Sequence, residues 1–153
     1  MIQTFIDYCL AHQLTFATCE SMTGGDLASM ITDVPSVSSV YLGGYVVYSE
    51  YAKKKMLDID DDFLHQYGTV SQKTASMLAM KTKTQLTSDV AIAIVGNAGP
   101  TASSNQPVGQ VYISVVYKNQ LIERDFHFTG SRSEIKHQTC VQAVQILLDI
   151  IHE

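Results

Sequence analysis

Apolar positions along this chain recur with two distinct periods, and the alternation between them sets the expected elements. Ile2, Phe5, Ile6, Cys9 and Leu10 are spaced as one face of a helix, which predicts an amphipathic first helix. Leu14 to Cys19 is short, apolar and bounded, and reads as a strand. A helix from about Thr23 to Thr32 follows, with Leu27, Ala28, Met30 and Ile31 as its apolar positions. It stops before Val34-Pro35, because the residue preceding a proline avoids the helical region. Tyr41 to Tyr48 predicts a second strand in which Gly43-Gly44 marks a bulge or a close backbone approach.

Lys53 to Leu57 and Asp61 to Tyr67 read as short helical pieces, the second ending at Gly68. Ser71 has the place of an N-cap for a helix through Lys83, with Ala75, Leu78 and Ala79 on its apolar face. Val90 to Val95 is a continuous apolar run, as expected of a strand covered on both faces. Gly96 to Gln106 is a loop rich in Gly, Ser, Thr and Asn. Gln110 to Tyr117 and Leu121 to Phe128 form a hairpin across Lys118-Asn119-Gln120. The last helix spans about Arg132 to Ile151 and buries Ile135, Val141, Val144, Leu147, Leu148 and Ile151.

Helices and strands alternate early and a hairpin closes the order. That order predicts an α/β fold, a three-layer α/β/α arrangement with a mixed sheet of about five strands. No internal repeat, linker or low-complexity tract interrupts residues 1–153, so a single domain is expected.

Composition then acts by exclusion. The 46% apolar and 16% charged fractions are globular values. Net charge is −5, and the run Lys53-Lys54-Lys55 is followed closely by Asp58, Asp60, Asp61 and Asp62, so a broad basic face for nucleic acid is disfavoured. Lys54 and Lys55 read as a solvated helix face. No apolar run approaches about 18 residues, which argues against a membrane span. The start, Met1 to Phe5, lacks the parts of a secretory signal, so a cytoplasmic protein is expected. Cys9, Cys19 and Cys140 have neither metal spacing nor an even framework, and read as buried small hydrophobes in a reducing compartment. His12, His65, His127, His137 and His152 are scattered, so no zinc site is expected.

Candidate chemistry lies first in Thr18-Cys19-Glu20-Ser21-Met22-Thr23-Gly24-Gly25, at a strand-to-helix turn. A hydroxyl nucleophile there would have backbone N–H groups of a helix start beside it, and such groups favour developing negative charge. An N-cap and a tight turn would leave the same pattern. The second stretch is Tyr48-Ser49-Glu50-Tyr51-Ala52-Lys53. If Tyr48 ends the second strand and Lys53 begins the next helix, both reach the sheet end that carries Ser21. An uncharged Lys53 could take the serine proton, provided burial or a neighbouring positive charge lowers its pKa. Tyr48 could relay that proton, and the Thr23-Gly24-Gly25 backbone could hold an oxyanion. The plainer alternative makes Tyr48 a core aromatic and Lys53 a surface charge.

Several motifs occur together and in order. Thr18-x-Glu20-Ser21-x-Thr23-Gly24-Gly25 and Gly43-Gly44-x-x-x-Tyr48-Ser49-x-x-Ala52-Lys53 are followed by Gly68-x-Val70-Ser71, Gly96-x-Ala98-Gly99-Pro100, Pro107-Val108-Gly109-x-Val111 and Gly130-x-Arg132. This series resembles the C-terminal domain family of the competence/damage-inducible protein CinA, over nearly the whole chain from about Leu14 to Leu148. Members include nicotinamide-nucleotide amidases, which convert nicotinamide mononucleotide to nicotinate mononucleotide and ammonia. The resemblance implies a catalytic set at Ser21, Tyr48 and Lys53, an α/β/α fold and a homo-oligomer. It also implies substrate-binding positions at Glu20, Thr23, Gly24, Gly25, Gly44, Glu50, Gly96, Asn97, Gly99, Arg132 and Lys136. The expected partner is a small pyridine nucleotide, with no metal or organic cofactor. Larger CinA proteins carry an additional N-terminal domain similar to molybdopterin-binding modules, and this chain resembles the stand-alone amidase form.

The chain also departs from the family pattern. Members usually read Tyr-Ser-Asn-Glu-Ala-Lys where Glu50 and Tyr51 stand here, and the Thr-Gly-Ile-Ala-Gly-Pro-type motif becomes Val95 to Pro100 with Asn97 inside. The following loop lacks glycine from Thr101 to Gln106, and Gln106 replaces a lysine. A usual arginine of the last helix is Lys136, which gives up a bidentate fork for phosphate. Glu50 would repel a nucleotide phosphate if it faces the pocket. Two accounts fit: an amidase with altered binding or substrate, or a nucleotide-binding or interaction protein that has lost turnover. On residue type alone, Glu20 reads as a hydrogen-bond or ion-pair partner of its surroundings, and Arg132 as either a first-turn surface charge or an anion clamp.

Overall fold

A computed structural model describes residues 1–102 and 105–152. Positions 103 and 104 of the expected Gly96–Gln106 loop, and Glu153 at the end of the expected domain, lie outside the described residues. Five strands form one mixed sheet: β1 (Phe16–Glu20), β2 (Tyr41–Val46), β3 (Val90–Gly96), β4 (Gln110–Tyr117) and β5 (Gln120–His127). Their order across the sheet is β2-β1-β3-β4-β5, with β1 parallel to β2 and β3, and with the β3–β4 and β4–β5 pairs antiparallel. The mixed α/β fold is therefore as expected. Tyr117 pairs with Gln120, so the hairpin loop is the two residues Lys118-Asn119, with Lys118 at φ 56°.

The helices are α1 (Ile2–His12), α2 (Asp26–Thr32), α3 (Glu50–Leu57), α4 (Asp61–Tyr67), α5 (Gln72–Leu86) and α6 (Arg132–Ile151), with a 3-10 turn at Val37–Ser39. Strand alternation assigns each to a face. Phe16, Ile92, Ile94, Ile113 and Val115 point to one side and pack with Phe5, Ile6, Leu27, Ile31, Ile135 and Leu147 of α1, α2 and α6. Cys19, Ala93 and Val95 point to the other and pack with Leu57, Leu64, Ala75, Leu78 and Ala79 of α3, α4 and α5. Side chains on this second face are small, including Ala17, Ala91 and the buried Ser114, which lets α5 lie across β1, β3 and β4. All three cysteines are buried and free, as small hydrophobes would be.

Several boundaries differ from the sequence reading. Helix α2 starts at Asp26 rather than Thr23, because residues 23–25 form a turn tied down from β1. Helix α3 starts at Glu50 rather than Lys53, since the Ser49 hydroxyl accepts from the Ala52 N–H and caps it. Helix α5 runs on to Leu86, where Thr87 takes a left-handed conformation. In α6 the buried side includes Thr139, Cys140, Ala143, Ile146 and Ile150, while Val141 and Ile151 are only half-buried.

Gly43 and Gly44 divide the two roles expected of the pair. The β1–β2 register shifts between Phe16 and Ala17, opposite Tyr41 and Gly43, which leaves Leu42 as an extra residue in β2. Gly43 takes φ 112° at that bulge. At Gly44 a Cβ would overlap the Thr18 carbonyl and hydroxyl. Gly44→Ala should therefore cost about 1–3 kcal/mol as the strands are forced apart. Urea unfolding of the variant measures this, and an unchanged midpoint would mean that β2 shifts freely at this position.

Candidate active site

Parallel strands bring their C-terminal ends to one edge of the sheet. Ser21 follows β1, Tyr48 follows β2, and Asn97 to Gly99 follow β3. From β1 the chain reaches β2 through α2 on one face, and from β2 it reaches β3 through α3 to α5 on the other. Such a switch point leaves a crevice beyond the strand ends. A cleft of about 390 Å³ opens there, lined by Ser21, Tyr48, Glu50, Lys53, Gly96, Asn97, Gly99 and Arg132 among others.

Lys53 is the fourth residue of α3, and the helix carries its side chain inward to leave it 2% exposed. Its Nζ donates to Ser21 Oγ at 3.3 Å and to the Val47 carbonyl at 3.0 Å. Burial lowers its pKa from the ordinary value of 10.5, against opposing contributions from Cys19 and Glu50. The amine therefore gives up its proton more readily than a surface lysine does. Cys19, two residues before Ser21, is no rival nucleophile, because burial pushes its thiol up to about 12.

Tyr48 lines the same cleft, but its hydroxyl accepts from Arg132 Nη2 at 2.6 Å. Arg132 is the first residue of α6, which Ser131 and Glu134 start with a reciprocal capping box. Its other terminal nitrogen donates to the Gly99 carbonyl. Asn97 is buried in the wall, with its side chain donating to the Gln106 carbonyl at 2.7 Å and its backbone paired with Gln110 and Gly109. Glu50 pairs with Lys54 at 3.3 Å.

Other expected contacts stand away from the cleft. Glu20 is 1% exposed and turns under α2. One of its oxygens accepts from the Thr23 hydroxyl and the N–H groups of Gly25 and Leu27, and the other accepts from the Ala28 N–H. Thr23 is fully buried in that arrangement. Gly24 faces Lys136 and Gly25 faces Val46, so neither glycine lines the cleft. Their N–H groups are already engaged, by the Ser21 carbonyl and by Glu20, which removes them as oxyanion donors. Gly44 is taken up by its approach to Thr18. Lys136 pairs with Asp26 at 3.4 Å over the start of α2, outside the cleft lining. The lining of the cleft thus includes none of these six positions.

The cleft also has walls to which sequence reasoning gave no role: Met22, Thr69, Val70, Ala98 and Thr101. Thr69 and Val70 lie within the Gly68-x-Val70-Ser71 motif, so a signal was present without an assignment. Among the described residues, no group of His, Cys, Asp and Glu is arranged to hold a metal ion, and no helix is long and apolar enough to cross a membrane.

Comparison with known proteins follows the same geometry. A family model described as the CinA C-terminal domain matches residues 1–151. A relative from Caldicellulosiruptor bescii, named as a competence-damage inducible protein, is 38% identical over 136 residues, covering 88% of this chain and 33% of its own length. A CinA-like protein from Thermotoga neapolitana is 36% identical over 134 residues, covering 87% of this chain and 33% of its own. The chain spans about a third of the length of the curated relatives it matches. Among solved structures, a competence-damaged protein (CinA) superfamily member from Escherichia coli superposes with a TM-score of 0.92 at 30% identity, covering 98% of this chain and 90% of that one. A competence/damage inducible protein from Agrobacterium tumefaciens gives 0.92 at 29% identity, covering 97% and 92%.

Proposed function

This chain belongs to the CinA C-terminal domain family, and on that footing we propose that it is an amidohydrolase acting on nicotinamide mononucleotide or a close pyridine nucleotide. The observation that carries the proposal is the buried Lys53 amine, lowered in pKa, at 3.3 Å from Ser21 Oγ in an open cleft. In the unprotonated state that amine accepts the serine proton as Oγ attacks the carboxamide carbon. It then delivers the proton to the departing nitrogen, so ammonia leaves and an ester to Ser21 remains. Water adds to the ester, the Ser21–acyl bond breaks, and the acid product and free serine result. The Thr23–Gly25 turn has no N–H of Gly24 or Gly25 to spare for the oxyanion. The unspent N–H groups of Arg132 are the charged donors at the cleft wall, and they are assigned that task here.

Tyr48 then acts with Arg132. Because the tyrosine oxygen accepts from the guanidinium, its own O–H is free to turn toward the substrate. Tyr48→Phe is expected to lower kcat by on the order of 10²-fold, since it removes a positioned proton-transfer group. Arg132→Lys cannot span Tyr48 and the Gly99 carbonyl together and should lose activity as well. Steady-state kinetics check both variants, and full activity in Tyr48→Phe would remove the tyrosine from the mechanism.

Ammonia release from purified protein given nicotinamide mononucleotide, NAD or free nicotinamide tests the proposal directly. The competing account, a nucleotide-binding protein without turnover, draws on the Tyr48 hydroxyl being engaged by Arg132 rather than by Ser21 or Lys53. A rise in melting temperature with nucleotide but no ammonia would decide for that account.

A further inference from the structure

Two side chains of opposite charge line the cleft. Arg132 stands on one wall, pinned by Gly99 and Tyr48. Glu50 also lines the cleft, one helical turn ahead of Lys53 in α3, and the i, i+3 spacing puts the two on adjoining parts of one helix face. Lys54 is the ion-pair partner of Glu50, but the same ammonium is also bonded to Asp61. One cation shared between two carboxylates leaves negative charge uncompensated at the cleft. The Lys53 amine is buried and directed to Ser21 and Val47.

A carboxamide attacked by Ser21 must lie against that oxygen, and the ring bearing it then occupies the same small cleft as Glu50. We infer that Glu50 is a specificity-determining residue, selecting a carboxamide carried on a permanently cationic aromatic ring over the uncharged form of the same molecule. The inference rests on the pyridine-nucleotide reading. An oxidised nicotinamide ring carries a positive charge, whereas the dihydro ring has nearly the same size and is neutral. Only the first gains from a carboxylate at the cleft, and with the Glu50 side chain half exposed the gain is that of a solvent-screened pair.

Calorimetry on the full chain carrying Ser21→Ala, which binds without turning over, tests this with oxidised and reduced nicotinamide mononucleotide as probes. The oxidised form is expected to bind more tightly by roughly 10-fold. Adding Glu50→Gln should bring the two affinities to within about 2-fold of each other, and adding Lys54→Ala, which frees Glu50 from its ion pair, should widen the gap. Equal affinities for the two forms, or a preference that survives Glu50→Gln, would overturn the role of Glu50 and leave the nucleotide reading standing. Binding of neither form would overturn that reading and the inference with it.

Discussion

Ser21→Ala and Lys53→Met are each expected to cut kcat on nicotinamide mononucleotide by on the order of 10²–10⁴-fold while the far-UV circular dichroism spectrum stays the same. Ser21 supplies the attacking oxygen and Lys53 the base beside it, at 3.3 Å. The reaction should also be sensitive to pH in a defined direction. A lysine serves as base only without its proton, so kcat/KM should climb with pH along a limb whose midpoint lies below 10.5, because burial lowers the Lys53 pKa. Lys53→Arg, charged at every accessible pH, should show no such limb and no recovery in alkali. Full activity in Ser21→Ala, or a rate independent of pH over that range, would refute the assignment.

Folding linkage follows the same shift with its own sign. The unfolded chain keeps the lysine proton up to about 10.5, and the folded chain releases it at lower pH. Between those two values the unfolded state binds more protons, so the contribution of Lys53 to stability rises with pH across that window. Below both values the charged amine is buried at a constant cost. Urea unfolding at a series of pH values reads this out, and Lys53→Met should flatten it.

Glu20→Ala is expected to have the largest effect on stability, about 3–5 kcal/mol. The carboxylate is buried, and it accepts from the Thr23 hydroxyl and from the N–H groups of Gly25, Leu27 and Ala28 at the start of α2. Alanine would leave these donors buried without an acceptor and would remove a negative charge from a helix N-terminus. Glu20→Gln should cost clearly less. Its amide oxygen can keep the place that accepts from Thr23, Gly25 and Leu27, and only the bond from Ala28 is lost. Circular dichroism in urea is the suitable measurement, since the chain has no tryptophan. A loss under about 1 kcal/mol in Glu20→Ala would mean that water replaces the carboxylate at this turn.

Local signals account for what could be read in advance. The α6 limits, Arg132 and Ile151, follow from a Ser-x-x-Glu start and a long unbroken period. The α4 limits follow from Asp60 as cap and Gly68 as stop. Glu50 through Lys54 breaks the apolar period with Tyr51 and paired charges, so the start of α3 was hidden although Ser49 was available as its cap. At α2 the reason is different. Glu20 captures amides five to eight positions further on, and no windowed pattern represents a carboxylate reaching forward that far.

The same distinction runs through the cleft. The motif resemblance groups Ser21, Tyr48 and Lys53, and strand order adds only that residues following neighbouring parallel strands share an edge. Thr69 and Val70 are not grouped in this way, since they enter from the connection between α4 and α5 and carry no chemistry that marks them. Gly24, Gly25 and Lys136 are grouped with the cleft by the family resemblance alone. The turn after Ser21 sets Gly24 against Lys136 of α6, which pairs with Asp26, and sets Gly25 against Val46.

The bulge in β2 also bears on how the protein behaves when crowded. β2 is an edge of the sheet, and it exposes Leu42 and Val46 along an open row of backbone donors and acceptors. A flat, apolar edge of that kind invites a second strand to add on and is a starting point for aggregation. With Leu42 extra and Gly43 at φ 112°, this edge lacks the unbroken ladder that an incoming strand would need. The glycine pair thus does two jobs along one strand: Gly44 admits β1, and Gly43 turns strangers away.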